Sequence, residues 1–265
     1  MKAATFNVNS INARMESLSS FLAEEKPDIV LLQEIKTEFE KFPFFELKTL
    51  GYEAKILGQK SYNGVAVLSP YKMEIVQENL PNFPDENARY LEVEVYINDK
   101  PVRAASIYVP NGNPPYNAPN DDSKFIYKLK FMDCLYAHMQ DILSRRENFF
   151  VAGDFNVIFS EVDVYNPEHF RQNALFRTEV RERFSALTYL GLCDAFRAIN
   201  QKENGYTYWD YSGGALAADL GMRIDYFLLS PLMTDKLRAC RVSKKTRSLS
   251  RPSDHAPLIA EFEGL

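Results

Sequence analysis

The sequence predicts an α/β protein in which two β-sheets pack together beneath flanking helices. Three observations carry that expectation: nine strand-like segments interleaved with three helical ones, two different kinds of strand pattern, and a composition that can fill a large core. Hydrophobic residues make up 46% and charged residues 25% of the 265 positions. That balance excludes disordered and fibrous chains, and a chain of this length buries about 73% of the surface it exposes when unfolded. No internal period or Gly/Ser linker interrupts it, so one domain over 1–265 is expected.

The expected strands are Ala3–Val8, Ile29–Glu34, Gly64–Ser69, Tyr90–Ile97, Val102–Val109, Asn148–Gly153, Ile224–Ser230, Leu237–Val242 and Pro257–Phe262. Ile29–Leu32 and Phe149–Ala152 are unbroken apolar runs, the pattern of strands covered on both faces. Leu91–Ile97 alternates charged with apolar residues, the pattern of a strand with one face in water. Helical periodicity appears at about 14–25, 124–144 and 178–190. The second is the clearest, with Phe125, Leu129, Met132, Leu135, Met139 and Leu143 stepping by three or four. Pro110 to Asp122 is dense in proline and asparagine and suits a functional surface loop.

Several classes drop out. The longest aliphatic run, Ile29–Leu32, is far shorter than the ~18–20 residues that span a bilayer, so no membrane partner is expected. Cys134, Cys193 and Cys240 are too few and too far apart for a disulfide framework or a zinc knuckle. With no secretory leader legible, a reduced, cytoplasmic protein is the expectation. No HExxH, GxSxG, GxGxxG or phosphate-cradling glycine loop is present, which removes the commonest zinc protease, serine hydrolase, dinucleotide and NTPase readings. The net charge of −5 argues against a nucleic-acid coat protein, whose affinity comes from neutralising phosphates, but not against an enzyme that touches nucleic acid on one face. Lys236 to Arg251 holds seven basic residues and no acid, either a solvated strand and loop or a phosphate-facing band.

Polar residues recur where apolar runs end. Asn7 follows Phe6, Glu34 follows Leu31-Leu32-Gln33, and Tyr108 follows Ile107 and leads to Asn111. Asp154 and Asn156 follow Phe149–Gly153, Asp225 follows Ile224, and Asp254-His255 precede the last strand. A carboxylate beside a buried run is costly unless paired or metal-bound. Singly, each has a plain explanation: Asp154 as a turn residue, Glu34 where a strand surfaces, Asp225 paired with Arg223, His255 as a satisfied loop histidine. Jointly they are hard oxygen ligands with an acid/base pair. That inventory suits Mg²⁺, with Mn²⁺ as a substitute, and not zinc, since no thiolate or second histidine accompanies it. His138 and His169 read as structural or surface residues.

Nine ordered motifs then match something known: TFNVNSINAR at 5–14, PDIVLLQEIK at 27–36, YNGVAVLS at 62–69, IYVPNGNP at 107–114, GDFNV at 153–157, GLCDAFR at 191–197, YTYWDY at 206–211, GMRIDYFLLS at 221–230 and RPSDHAPL at 251–258. Together they resemble the exonuclease III branch of the endonuclease/exonuclease/phosphatase superfamily, which includes the apurinic/apyrimidinic (AP) endonucleases. GDFN and SDHAP specify only the superfamily, whereas IYVPNG, KFIYK at 124–128, YTYWDY and RIDY point to the DNA-repair branch.

The resemblance implies a four-layer α/β sandwich of two mixed sheets, DNase I-like, with the site at one rim. It implies a Mg²⁺-dependent phosphodiesterase, a monomer acting on duplex DNA at abasic sites and 3′ ends. Glu34 resembles the principal metal ligand, with Asn7, Asp154, Asn156, Asp254 and His255 on the metal side. Asp154 resembles the residue that orients or deprotonates water, Asn156 and Tyr108 the groups aimed at the scissile phosphate, and Asp225 the carboxylate that orients His255. His255 is the second candidate for the base. Asn9, Asn111 and Lys124 fall where the family contacts DNA backbone, and Tyr208 and Trp209 where it lines the pocket for an abasic sugar. Ser10, Asn12, Tyr208 and Met222 depart from residues common in the family, where Gly, Arg, Trp or Phe, and Trp or Leu stand. A phosphatase acting on soluble or lipid phosphate esters, or a silent DNA-binding module, are the competing readings.

Overall fold

Two mixed six-stranded sheets pack face to face in the computed structural model, which describes residues 1–265. Numbered in chain order, the first sheet runs β11 (Leu237–Val242), β12 (Leu258–Phe262), β1 (Lys2–Asn7), β2 (Ile29–Gln33), β4 (Val65–Ser69) and β3 (Glu53–Leu57). The second runs β5 (Met73–Glu78), β6 (Tyr90–Ile97), β7 (Lys100–Tyr108), β8 (Phe149–Asp154), β10 (Asp225–Leu229) and β9 (Cys193–Asp194). The helices are α1 (Met15–Glu25), α2 (Phe44–Thr49), α3 (Ser123–Ser144), α4 (Pro167–Phe170), α5 (Thr178–Tyr189), α6 (Ala195–Ile199) and α7 (Pro231–Thr234). None of them is long and apolar enough to cross a membrane.

Strand periodicity builds the layers. Ala3 of β1, Ile29 and Leu31 of β2 and Val67 of β4 point inward against Val93, Ala104, Phe150 and Phe227 of the other sheet. The alternate residues Ala4, Phe6, Val30 and Leu32 point outward under Leu18, Phe21 and Leu22 of α1. On the far side Ala105, Ile107, Phe149 and Val151 lie under Phe125, Met132, Leu135 and Met139 of α3 and Val180, Phe184 and Leu187 of α5. Each central strand is thus buried on both faces, which is why its apolar runs are unbroken. The four-layer sandwich is the observed fold.

All nine expected strands are present. The three additional ones, β3, β5 and β9, are sheet edges. An edge strand buries little; β5 (MEIVQE) keeps most of its side chains outside the core, so its sequence shows no period. Leu91–Ile97 corrects its expectation in part: on the polar face of β6, Glu94 and Tyr96 stay half-buried, but Glu92 is buried against His138 of α3. Glu92 is 1% exposed and is held by Arg103 Nε at 3.2 Å, His138 Nε2 at 2.8 Å and the Tyr90 hydroxyl at 2.6 Å. Alternation reports a polar face, and a polar face can be buried when every charge on it has a partner.

The basic run lies on β11 and the segment after it, and much of its charge is paired. Arg238 pairs with Glu263, Arg241 with Glu25 at 2.6 Å, Lys244 with Asp219 at 3.1 Å and Lys245 with Glu24 at 2.7 Å. Arg247 is buried and donates to the carbonyls of Ser253 and Trp209.

Two features align the sheets beneath one rim. Gln33 Nε2 donates to Ser106 Oγ at 3.0 Å, Ser106 Oγ donates to the Leu32 carbonyl at 2.9 Å, and Thr5 Oγ1 donates to Gln33 Oε1 at 3.2 Å. This pin joins β1 and β2 to β7. Gly153 lets β7 and β8 close, because a Cβ there would stand 1.9 Å from the Ile107 carbonyl oxygen. Gly153→Ala should therefore lower stability by about 3 kcal/mol in urea unfolding; an unchanged midpoint would contradict the close approach.

Candidate active site

The rim where these strands end gathers the polar residues picked out by the sequence. In the second sheet Tyr108, Asp154 and Asp225 occupy one row: Tyr108 is the parallel partner of Asp154, and Asp225 is its antiparallel partner. In the first sheet β1 and β2 run parallel with Asn7 opposite Gln33, and the pairing continues past the strands through Val8 N to Gln33 O and Ser10 N to Glu34 O. Glu34 turns the chain with φ +49° and Asn156 with φ +50°, left-handed conformations that redirect the chain just after the strands. Ser10 has φ +86° in the same turn system, a conformation that favours glycine.

Asn7 spans the two sheets. Its Nδ2 donates to Glu34 Oε1 at 2.8 Å and to Asp154 Oδ2 at 3.0 Å, so both carboxylates converge on one nitrogen. The other Glu34 oxygen meets Lys36 Nζ at 2.7 Å. Asp154 Oδ1 accepts from the Asn156 N–H at 2.9 Å, and the Asn156 side chain donates to the Val109 carbonyl. His255 Nδ1 lies 2.8 Å from Asp225 Oδ2, and its Nε2 lies 3.7 Å from Asp154 Oδ2. Arg223 does not pair with Asp225; it is committed to Asp163 and Asp194. Asn9 sits on the rim, donating to Asp254 Oδ1 at 3.0 Å and accepting from Lys36.

These groups open into a cavity of about 330 Å³ lined by Glu34, Tyr108, Asn111, Asp154, Asn156, Tyr208, Asp254 and His255. Phe170, Leu175, Met222 and Ile224 supply an apolar wall, and Asn113 and Asn173 a polar one. The sequence offered no signal for Phe170, Asn173 or Leu175: Phe170 ends the short helix α4 and the other two lie in the loop after it, where no period shows. Asn7 and Asp225 stand directly behind the wall, fully buried. Lys124 lies in an adjoining groove of about 730 Å³ with Arg89, Tyr116 and Tyr127, sharing Tyr108 and Asn111 with the cavity.

Trp209 is the exception. It was expected to line the pocket, yet it is completely buried, packed with Tyr206, Ala215 and Ala256. Its Nε1 donates to Asp219 Oδ1 at 3.0 Å. Tyr208 N and O pair with Met222, so alternate residues of this segment face opposite ways: Tyr208 toward the cavity, Trp209 into the core.

The electrostatics follow from burial and crowding. Burial pushes the Asp154 carboxyl up, His255 opposes this, and Asp225 and Glu34 add to it, leaving Asp154 at about 7. Burial pushes His255 down, but Asp225, by charge and hydrogen bond, and then Asp154 and Asp254 outweigh it and hold the imidazolium up to about 10. Tyr108 is raised by burial and by Glu34 and Asp154. Burial would raise Glu34, but Asn7 and Lys36 hold it below the usual carboxylate range.

Does the donor set fit a divalent cation? Asp154, Asp225 and His255 offer ligand atoms within 4.8 Å of one another. Asp225 Oδ1 is buried without a hydrogen-bond partner. Rich in carboxylate oxygen, with more negative charge than one imidazolium cancels and no thiolate, the set fits a hard cation.

A two-sheet sandwich with acids, amides and one histidine at the rim defines a metal-dependent hydrolase of phosphate esters. The chain belongs to the Endonuclease/Exonuclease/phosphatase family, whose model matches residues 4–255. It is 29% identical to exodeoxyribonuclease III of Haemophilus influenzae over 99% of this chain and 100% of that protein. It is also 27% identical to the Bacillus subtilis exodeoxyribonuclease, covering 97% and 98%. Among solved structures, a Neisseria 3′ phosphatase bound to product DNA hairpin superposes with a TM-score of 0.93 at 37% identity over the whole of both chains. An AP endonuclease from Archaeoglobus fulgidus gives 0.91 at 34%, again over both whole chains.

Two outcomes test the site. Trp209→Ala should cost about 3–5 kcal/mol of stability in urea while the folded fraction keeps its turnover; lost turnover with unchanged stability would return Trp209 to the pocket. The second concerns pH. His255, raised from 6.5 to about 10, contributes stability that is complete below pH 6.5 and lost as pH climbs through 10. Asp154, raised from 3.8 to about 7, contributes stability that is complete below pH 3.8 and lost as pH rises through about 7, so it changes little above that. Urea midpoints of chelated protein should therefore fall from pH 7 to 10, and Asp225→Asn should flatten that fall. Equal slopes for the two proteins would refute the pairing.

Proposed function

We propose that this chain is a Mg²⁺-dependent DNA-repair phosphodiesterase, cleaving duplex DNA 5′ to abasic sites and removing nucleotides or blocking groups from 3′ ends. The observation that carries the reading is the row Tyr108–Asp154–Asp225, met from the opposite sheet by Asn7 and Glu34 and closed by His255. Relatives named as exodeoxyribonucleases, AP endonucleases and a 3′ phosphatase support the substrate class. Residues from Glu34 to His255 line one cavity, which supports reading the chain as one unit acting as a monomer.

Glu34, Asn7, Asp154 and Asp254 would hold the cation, with Asn156 and His255 beside it. When bound, it would neutralise phosphate charge and the leaving 3′-oxygen. The remaining work falls to the chain. Phosphodiester hydrolysis needs accelerations of order 10¹⁷, ~23 kcal/mol, which no single group supplies. Tyr108, raised by its surroundings and so held as a phenol, donates toward a phosphate oxygen. The His255 imidazolium, fixed through Nδ1 by Asp225, presents Nε2–H to another. Because that proton is held, His255 acts as a clamp and Asp154 is the group that orients water and accepts its proton. Burial and the neighbouring Asp225 and Glu34 carboxylates make Asp154 more basic than a free carboxylate, which suits that task. Phe170, Tyr208 and Met222 shape the space for the sugar beside the phosphate, while Asn9, Asn111 and Lys124 meet the DNA backbone.

A duplex carrying one abasic site, incubated with Mg²⁺ and then with chelator, should be cut 5′ to the lesion only while metal is free. Asp154→Asn should lower turnover by about 10²–10⁴-fold, and Glu34→Ala should abolish most activity. Near-normal turnover in either variant, or cutting that survives chelation, would overturn the assignment. Release of phosphate from an inositol phosphate, with the DNA left intact, would instead favour a small-molecule phosphatase.

A further inference from the structure

The apolar stripe of α3 has a charged member. Phe125, Lys128, Met132, Leu135, Met139 and Ile142 step by three and four along one face, and all six are buried. Lys128 is 0% exposed, yet no carboxylate lies against its ammonium. Its Nζ instead donates to three main-chain carbonyls: Asn111 at 3.0 Å, Asn156 at 2.5 Å and Ala174 at 3.2 Å. An ammonium has three N–H donors, and here each has an acceptor. The three carbonyls belong to three separate segments, and each segment lines the cavity, through Asn111, through Asn156 and through Asn173 and Leu175. The neighbouring chain accommodates the lysine stem: a Cβ on Gly112, which has φ +86°, would stand 2.7 Å from Lys128 Cδ. The loops also interlock, with Asn113 Oδ1 accepting from Ala174 N at 3.0 Å and Asn111 Nδ2 donating to Asn156 Oδ1 at 3.2 Å.

We propose that Lys128 is a positioning residue for catalysis: one buried ammonium ties together the three loops that form a wall of the cavity and thereby sets Asn156 and Asn111 against the bound DNA strand. The proposal rests on the phosphodiesterase reading. Lys128 touches neither substrate nor reacting atoms; it acts through the backbone of residues that do. A purely structural role makes a different forecast: Lys128→Met orphans three buried carbonyls, so stability would fall while the folded fraction kept its turnover. Stability and turnover should then part company.

The test compares wild type, Lys128→Met and Lys128→Gln on a duplex with a single abasic site, measuring kcat, KM and the thermal midpoint of each. Lys128→Met should lower its midpoint and, assayed well below that midpoint, lose about 10²-fold in kcat while holding KM within about threefold, as expected when reacting groups shift by about 1 Å. Lys128→Gln, which retains two of the three donors, should fall between; it also carries the test should the methionine variant not fold. A kcat within twofold of wild type in either folded variant, or a loss seen only in KM or only in thermal midpoint, would overturn the proposal while leaving the phosphodiesterase reading intact. A wild-type protein that leaves the duplex uncut would overturn both.

Discussion

Two carboxylates face each other across one rung of a buried ladder, and much of the molecule is an answer to that. Asp154 and Asp225 are direct antiparallel partners, at 2% and 1% exposure. Like charges opposite one another on a sheet are destabilising, the more so away from water. The fold responds with His255 between them, with the Asn7 amide reaching from the other sheet, and with the Asn156 N–H from the turn that follows β8. One imidazolium cancels one of the two charges, so the rung keeps negative charge, and burial together with that charge raises Asp154. What remains is a standing demand for positive charge, and that demand makes the rim a place for a divalent cation and a phosphate.

The two-sheet architecture is what brings the answering groups within reach. Parallel pairing of β1 with β2 and of β7 with β8 sends the ends of all four strands to one rim, and the Thr5–Gln33–Ser106 pin holds the sheets one rung below it. The exit turns then take left-handed conformations at Asn9, Ser10, Glu34 and Asn156, trading local strain for direction.

The central strands and the rim acids were legible because burial writes itself into sequence: Phe149–Ala152 can only be covered, and Asp154 after it can only be costly or useful. Edge strands β3, β5 and β9 were not, since a strand with little to bury leaves no pattern. Trp209 was misplaced because a motif gives no side-chain direction, and one residue of shift moves a side chain from cavity to core. Glu92 read as solvated, since alternation does not say what covers the polar face. Lys128 left a signal of another kind, a lysine on the 3,4,3,4 stripe of α3, but single-sequence periodicity treats such a residue as noise unless its acceptors, all main-chain carbonyls, are known.

Charge balance across the surface narrows where DNA meets the protein. Much of the charge of the basic run from Lys236 is paired with Glu24, Glu25, Asp219 and Glu263. Arg89 and Lys124 line the groove that adjoins the cavity, where Arg89 stacks 4.8 Å over the Tyr108 ring and donates to the Tyr108 carbonyl. Tyr127, on the same turn of α3 as Lys124, hydrogen-bonds Asp85; Asn87 donates to Asp85 and accepts from Asn63, whose carbonyl receives Lys36 N beside Glu34. The first turns of α3 therefore touch both sides of the cavity, through Lys128 on the Asn156 side and through Tyr127 on the Glu34 side. A net charge of −5 is compatible with a nucleic-acid substrate, because positive charge can be local: Arg89 and Lys124 stand together in a groove beside the buried acids.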